Sequence, residues 1–482
     1  MEAPLQTRLP WWPLPILVAI AFLIFWPTLA FTAFSDDHSA LWNSGVRGIP
    51  WRNGFFRPLS DLTFHIGYLV HGVEVSGHRA FNVALHGLNA FLVFALFVRL
   101  APTGDERELN ASGFAASLLF LLYPFHQESI VWLVGRESSL GTLFVLAGLL
   151  TLKAPLSRNI RLIALVVCSV LGALCYESAL LLVPLAFVIT WPDPKSSALS
   201  LRETMIAAVC GMAIYFSLRI AAVGWSGDSY ITGLFIQDIS SLLYHAPKAM
   251  ARLFLPPDLD SIAQVRKGAF LLAGLLIVLV AFALKSRRSK HEQGVAFVWL
   301  GSLLISCAIP VLAGVSTVTS ESDRLLYMPS VFLCSLFGYA FQQIPSAVLR
   351  RTVWLVLAMI SFHFLRLNHA GWEQASVTTQ RIMEQLPEVP AQGRLFVTDL
   401  PDNYQGAFVF RNGFPEAVHL ANKDGGRVVD VHSRDLVNGV ITAQDLHFRG
   451  SVLHPDTSDR WYRWNGAGFH ALDTPVGTRS TQ

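Results

Sequence analysis

Eleven apolar runs of roughly membrane-spanning length divide most of this chain, and no other feature restricts its fold as much. They lie near 13–33, 80–100, 112–125, 138–153, 161–176, 178–191, 204–223, 268–285, 294–314, 329–345 and 352–370. A bilayer core takes about 20 apolar residues of helix, within a range of about 17–25. Several runs are short or abut one another, as around Tyr176-Glu177, so the number of spans is about eleven. Charged residues make up 14% of the 482 residues and hydrophobic residues 53%, whereas soluble domains carry about 25% charge. Residues 1–370 therefore read as an all-α polytopic membrane domain. The net charge of +3 and the absence of any lysine or arginine run argue against a nucleic-acid partner. The first run lacks a clean Ala-x-Ala-like cleavage site, which predicts a retained span rather than a signal peptide.

Basic residues orient the spans. With the N-terminus cytoplasmic, the inner loops hold Arg99 and Arg107, then Lys153, Arg158 and Arg161, then Lys195 and Arg202. Lys285, Arg287, Arg288 and Lys290 follow, and last Arg350 and Arg351. The long loops 34–79 and 224–267 then lie outside, as does the C-terminal tail. Both loops carry an amphipathic helical pattern. After Pro58, a helix-start signal, Leu59, Leu62, Ile66, Leu69, Val70 and Val73 form one stripe opposite Asp61, His65 and Tyr68. Over 234–254, Phe235, Ile239, Leu242, Leu243, Met250, Leu253 and Phe254 oppose Gln237, Ser241, Tyr244, His245, Lys248 and Arg252, with a kink expected at Pro247. These read as helices in the outer membrane interface, in contact with lipid; packing on the protein's own outer face is the alternative.

From about 371 the apolar runs shrink to strand length, at Arg394–Leu400, Gly406–Phe410 and Arg427–Val431. Helices are expected near 371–386 and 414–421, and a hairpin at Asn465-Gly466. Residues 371–482 therefore read as a small extracytoplasmic α/β domain. The five cysteines all sit in apolar runs without zinc-ligand spacing and read as packing residues.

The polar groups left over are few and cluster at the outer ends of the spans. Asp36 and Asp37 follow the first span directly. Ionised groups beside a bilayer are costly, which favours function; a helix cap is the structural alternative. A carboxylate beside an acceptor hydroxyl can take its proton. Arg57, Arg136 and Arg324 come out on the same side, together with His126, Glu128, Glu137, Glu177 and Tyr327. Arginine holds phosphate through two parallel hydrogen bonds. Structural ion pairs are the alternative, Arg136 with Glu137 or Glu128 and Arg324 with Asp323 or Glu321. Lys248 and Arg252 suit lipid phosphates or ordinary snorkelling. His126 with Glu128 offers a divalent metal ion two ligands, too few to define a site. His86, beside Asn82 and Asn89 in a span, reads as an interhelical hydrogen-bonding group.

Four stretches in order resemble the GT-C superfamily of polyprenyl-phosphate-sugar-dependent glycosyltransferases, and within it the transmembrane O-mannosyltransferases with tetratricopeptide repeats and their bacterial relatives. They are Asp36-Asp37; Phe56-Arg57-Pro58-Leu59 with Phe81-Asn82-Val83-Ala84-Leu85-His86; Tyr123-Pro124-Phe125-His126-Gln127-Glu128 with Gly135-Arg136-Glu137; and Asp323-Arg324-Leu325-Leu326-Tyr327-Met328-Pro329-Ser330. The resemblance covers about residues 10–345 and implies a GT-C-like fold. It also implies inverting transfer of a sugar from a polyprenyl-phosphate donor to an acceptor hydroxyl on the outer face. Asp36 or Asp37 would be the base, Arg136 and Arg324 would stabilise the leaving lipid phosphate, and His126 and Glu128 would shape the pocket. The tail departs from the family, with an α/β domain in place of the repeats, so the acceptor is open between protein, lipid and polysaccharide. A bacterial cytoplasmic membrane is the expected location. A transporter or flippase of a lipid-linked anion, or a non-catalytic envelope assembly protein, are the alternatives; no matching inverted halves support the first.

Overall fold

The computed structural model describes residues 9–49, 55–100, 105–190, 199–224, 238–258, 260–284, 290–431, 446–448, 451–453 and 458–472. Lys195, Lys285, Arg287 and Arg288, and the start of the 234–254 stretch with Phe235 and Gln237, lie outside them. All eleven apolar runs fall on helix. Among the described residues seven segments are long and apolar enough to cross a membrane: Pro13–Ala30, Val75–Leu100, Arg158–Cys175, Leu201–Val223, Gly294–Ala313, Asp323–Gln342 and Ala347–Glu384. The chain is thus a multi-pass membrane protein. The other four runs are helical as well, at Glu106–Leu121, Arg136–Lys153, Glu177–Thr190 and Ser261–Leu284. Among the described residues seven spans are supported, and the figure of eleven is unconfirmed.

The chain divides into two compact units. One comprises Met1–Leu29, Arg52–Thr63 and Ser76–Ala370; the other comprises Ala30–Trp51, Phe64–Val75 and Gly371–Gln482.

In the first unit, Pro13 opens a helix whose Leu17, Ala21 and Phe25 are buried at four-residue spacing, while Ile16 and Leu23 face outward. That is the pattern of a span with one protein-facing stripe. The Val75–Leu100 helix is the most enclosed, and it carries a buried polar stripe of His78, Arg79, Asn82, His86 and Asn89. The stripe serves an interrupted stretch of backbone. Residues 122–135 hold only a short helix, Gln127–Ile130, and non-helical backbone at membrane depth must find internal partners. Arg79 donates to the Val131 and Thr28 carbonyls (2.9 Å each), Asn82 to those of Ile130 (3.1 Å) and Trp132 (3.3 Å), and Asn89 to that of Ser139 (2.9 Å). His86 shares a hydrogen bond with the Tyr327 hydroxyl (2.9 Å), as its setting in the sequence suggested. Small residues let neighbouring helices approach closely: a Cβ on Gly87 would lie 2.7 Å from the Val18 Cα, and one on Gly211 2.5 Å from the Ser169 Cβ.

The two amphipathic stretches are helices at Pro58–His71 and Ile239–Phe254. Leu62, Ile66, Leu69 and Val70 of the first are exposed, as is Val73 just past its end, while Leu59, Asp61, His65 and Tyr68 are half-buried. An apolar stripe turned away from the protein fits a lipid-facing interfacial helix better than packing on the protein's outer face. In the second, Ile239 and Leu243 are exposed whereas Met250, Arg252 and Leu253 are buried. This helix runs through Pro247, where a Cβ on Gly268 would collide with the proline carbonyl.

Among the described residues the second unit holds eight short strands: β1 (Leu395–Thr398), β2 (Asn403–Tyr404), β3 (Ala407–Phe408), β4 (Val428–Val431), β5 (Leu446–Phe448), β6 (Ser451–Leu453), β7 (Arg460–Trp464) and β8 (Phe469–Leu472). The main sheet runs β4-β1-β7-β8, with β1 parallel to both β4 and β7. All four residues of β1 are buried, as a central parallel strand requires. Phe396 of β1 stacks on Trp461 of β7 (4.2 Å, 9°), and Val429 and Val431 complete that core. The β7–β8 hairpin turns at Asn465-Gly466, with Gly466 at φ 93°. The expected helices are present at Ala347–Glu384, which runs through 371–384, and at Phe414–Leu420. The outer-loop residues 30–51 and 64–75 belong to this same unit.

Candidate active site

Asp36 and Asp37 open a short helix, Asp36–Ser39, that continues into a π-helical turn, Ala40–Val46. Turns of this kind are rare and are often found at functional sites. The two carboxylates differ. Asp37 is fully buried, and its Oδ2 accepts the Phe34 N–H (3.1 Å). Asp36 is half-buried. Before them Ser35 has φ 45° and ψ −118°, the backbone of the first central position of a type II′ turn, where glycine is the usual occupant. The Asp37 N–H closes that turn on the Phe34 carbonyl (2.8 Å). Ser35 also donates its N–H to the Val409 carbonyl (2.9 Å), and its Oγ accepts the Asn412 N–H (3.1 Å). His38 is buried against the Phe410 ring (5.5 Å, 19°), and burial pushes its imidazole down to about 4. It is therefore neutral near pH 7.

The other candidate residues lie in the first unit, where a group of arginines and carboxylates assembles. Arg57 directs Nε and Nη2 at Glu177 (3.0 and 2.6 Å to Oε2) and Nη1 at Glu137. Its guanidinium lies over the Tyr176 ring at 4.6 Å and the Phe55 ring at 4.5 Å. Burial alone would lower the Arg57 pKa, but Glu137 and Glu177 more than offset that and raise it. Arg324 pairs with Glu128, which also accepts the Arg324 backbone N–H (3.0 Å). Tyr176 and Arg324 line one narrow crevice, together with Ser138, Thr142, Ser178 and Met328. The Arg324 side chain is 31% exposed and that of Glu177 29%, whereas those of Arg57, Glu137 and Glu128 are each below 10%.

The pairings differ from those expected. Arg324 takes Glu128 rather than Asp323 or Glu321. Asp323 instead pairs with Arg252 (2.6 and 2.8 Å), which is fully buried over the Phe125 ring and does not snorkel. Lys248, one turn earlier, lies over the Tyr244 ring at 5.0 Å. Arg136 is buried and donates to the Leu133 and His78 carbonyls (3.1 Å each). It braces the corner that presents Glu128 and Glu137. Tyr327 is likewise interior, bonded to His86 and Asn89. His126 shares a hydrogen bond with Ser330 (2.7 Å). His126 and Glu128 thus serve different partners, and among the described residues no group of three or more His, Cys, Asp or Glu is placed to hold a metal ion.

Sequence reasoning missed the part played by Val409 and Asn412. Only the Asn412-Gly413 pair ahead of Pro415 hinted at an unusual backbone there.

No family model matches the chain. It is similar in sequence to protein O-mannosyl-transferases. One is F38B6.6 of Caenorhabditis elegans, 24% identical over 307 residues, which are 60% of this chain and 42% of that protein. Another is human TMTC3, 24% identical over 379 residues, 67% of this chain and 40% of that protein. Human TMTC4 is 37% identical over 103 residues, 20% of this chain and 14% of that protein. The chain therefore spans about two fifths of the length of the first two relatives. Among solved structures, the apo oligosaccharyltransferase of Archaeoglobus fulgidus superimposes with a TM-score of 0.44 at 13% identity, over 88% of this chain and 65% of that one. ArnT from Cupriavidus metallidurans bound to undecaprenyl phosphate gives 0.36 at 13% identity, over 93% and 92%.

Proposed function

We propose that this chain is an integral-membrane glycosyltransferase that moves a sugar from a polyprenyl-phosphate donor to an acceptor hydroxyl on the outer face of the membrane, with inversion and with Asp36 as the base. The similarity to proteins named O-mannosyl-transferases supports the activity and makes mannose the first sugar to try. The observation that carries the choice of base is the asymmetry of the acidic turn: Asp37 is buried and holds the Phe34 amide, while Asp36 is half-buried beside a strained residue. Unfavourable backbone geometry that persists next to a chemically competent group is a pointer to function.

In this reading the acceptor oxygen attacks the anomeric carbon as Asp36 takes its proton. The bond between that carbon and the phosphate oxygen breaks, and the electron pair leaves with the lipid phosphate. Arg324, the most exposed arginine of the cluster, meets the charge that develops there. Arg57 shapes the pocket through Glu137 and Glu177, and Arg136 acts through the backbone it braces. Lys248 serves the lipid interface. Basic inner loops support a cytoplasmic N-terminus and an extracytoplasmic residue 371–482 region, with a bacterial cytoplasmic membrane as the setting.

Protein reconstituted in liposomes with a panel of polyprenyl-phosphate sugars and hydroxyl acceptors tests this. Asp36→Asn should abolish transfer while donor binding survives, and the product anomer should be opposite to that of the donor. Wild-type rates in Asp36→Asn would remove the assignment of the base. Failure of wild type to consume any donor across the panel would count against transferase activity itself.

A further inference from the structure

We infer that the Val409–Gly413 segment positions the base, by holding Ser35 in a backbone conformation that serine disfavours and so fixing where Asp36 points. This rests on the reading of Asp36 as the base. Three features converge on Ser35. Its N–H is bound by the Val409 carbonyl and its Oγ by the Asn412 N–H. Gly413, at φ 80°, sits so close that a Cβ there would collide with the Ser35 carbonyl oxygen and lie 3.1 Å from the Ser39 Oγ. Val409 and Asn412 thus hold the N–H and Oγ of Ser35, and Gly413 approaches its carbonyl, which also accepts the His38 N–H (3.1 Å).

The surroundings make the segment firm. The Val409 and Phe410 amides donate to the Asp402 and Pro401 carbonyls (3.0 Å each), which joins it to the β2–β3 hairpin. Phe410 packs edge-on against Phe414 (5.0 Å, 80°) and flat against His38. Farther along, Trp42 of the π-helical turn stacks on His419 (4.7 Å, 6°). The acidic turn is therefore gripped before and after the two aspartates. A serine left to itself would leave this geometry, because φ > 0 is costly for any residue with a Cβ.

A merely structural contact would link activity to stability; a positioning role separates them. Ser35→Gly is the discriminating variant. Glycine accepts the φ of 45° without penalty but loses the Oγ bond to Asn412. The turn should stay folded yet lose its direction. Gly413→Ala displaces the Ser35 carbonyl from the other side. Both are made in the full chain in liposomes, and hydrogen exchange over residues 33–39 is read beside donor turnover.

The expected result is exchange over 33–39 faster by about tenfold, with β1 and β7 unchanged. In Ser35→Gly the turnover number should fall by about tenfold or more, with KM for the donor held within about twofold and thermal stability at wild-type level. Unchanged exchange over 33–39 in both variants overturns the inference. Faster exchange with an unchanged turnover number also overturns it, since the segment would then hold the turn without directing the base. If Gly413→Ala does not fold, Ser35→Gly alone decides. If wild type turns over no donor, the transferase reading fails separately, and exchange still decides whether 409–413 holds the turn.

Discussion

Replacing Arg57 by methionine is the most direct probe of the charged cluster. The guanidinium keeps apart two carboxylates that would otherwise face each other with one shared partner missing: Glu137, whose side chain is 6% exposed, and Glu177 at 29%. Removing one partner of a buried ion pair typically costs about 3–5 kcal/mol, most of it from the charge left behind. Water reaches Glu177 and offsets part of its share, so we expect about 3 kcal/mol for Arg57→Met. Arg57→Lys keeps the charge but cannot present a fork to Glu177 while reaching Glu137, and should cost less, about 1–2 kcal/mol. Arg57→Met with Glu137→Gln should recover part of the loss, giving a coupling energy of about 1–3 kcal/mol. Reversible unfolding in mixed detergent micelles measures wild type, the two Arg57 variants, Glu137→Gln and the double variant. If Arg57→Met costs less than about 1 kcal/mol, or if the two changes are additive within about 0.5 kcal/mol, the cluster is not held by this arginine. A selective loss of donor binding at unchanged stability would instead make Arg57 a direct phosphate ligand.

Further outcomes follow from other sites. The His38 imidazole, pushed down by burial to about 4 from its ordinary 6.5, contributes stability that is present above pH 6.5 and lost as pH falls through 4. The full effect is on the order of 3 kcal/mol, and His38→Gln should flatten the dependence in melts recorded between pH 7 and 4. Gly135→Ala drives a Cβ into the Glu128 carbonyl and should cost at least about 2 kcal/mol; a near-neutral effect on unfolding would show that this corner yields easily. Asn82→Leu strips donors from the carbonyls of Ile130 and Trp132 and should cost about 1–3 kcal/mol in the same unfolding assay. Equal stability would mean that those carbonyls find other partners.

Much of the helical frame was legible because apolar length and periodicity are local properties. Pro58 does start a helix, Asn465-Gly466 does turn a hairpin, and His86, Asn82 and Asn89 do bond across helices. Ion-pair partners were not legible. Arg252 and Asp323 are separated by 71 residues, and Arg324 and Glu128 by 196, and nothing in local spacing ranks these matches above Arg324 with its neighbour Asp323. The positive φ of Ser35 was also hidden, because serine carries no mark of a glycine-type conformation. Its cause lies in residues 409–413, and the sheet order that places β1 at the centre depends on equally distant pairings.

The separation between Ser35 and its partners has a consequence for synthesis. Asn412 lies 377 residues after Ser35, and Ser376, which accepts the Thr32 amide (2.9 Å), lies 344 residues after Thr32. Ribosomes add about 5–20 residues per second, so the acidic turn waits on the order of 20–75 seconds for the backbone that shapes it. By the end of that interval the apolar helices have all been made, while the turn still lacks its clasp. On the proposed role of residues 409–413, a polypeptide terminated before Gly413 would lack the backbone that directs Asp36.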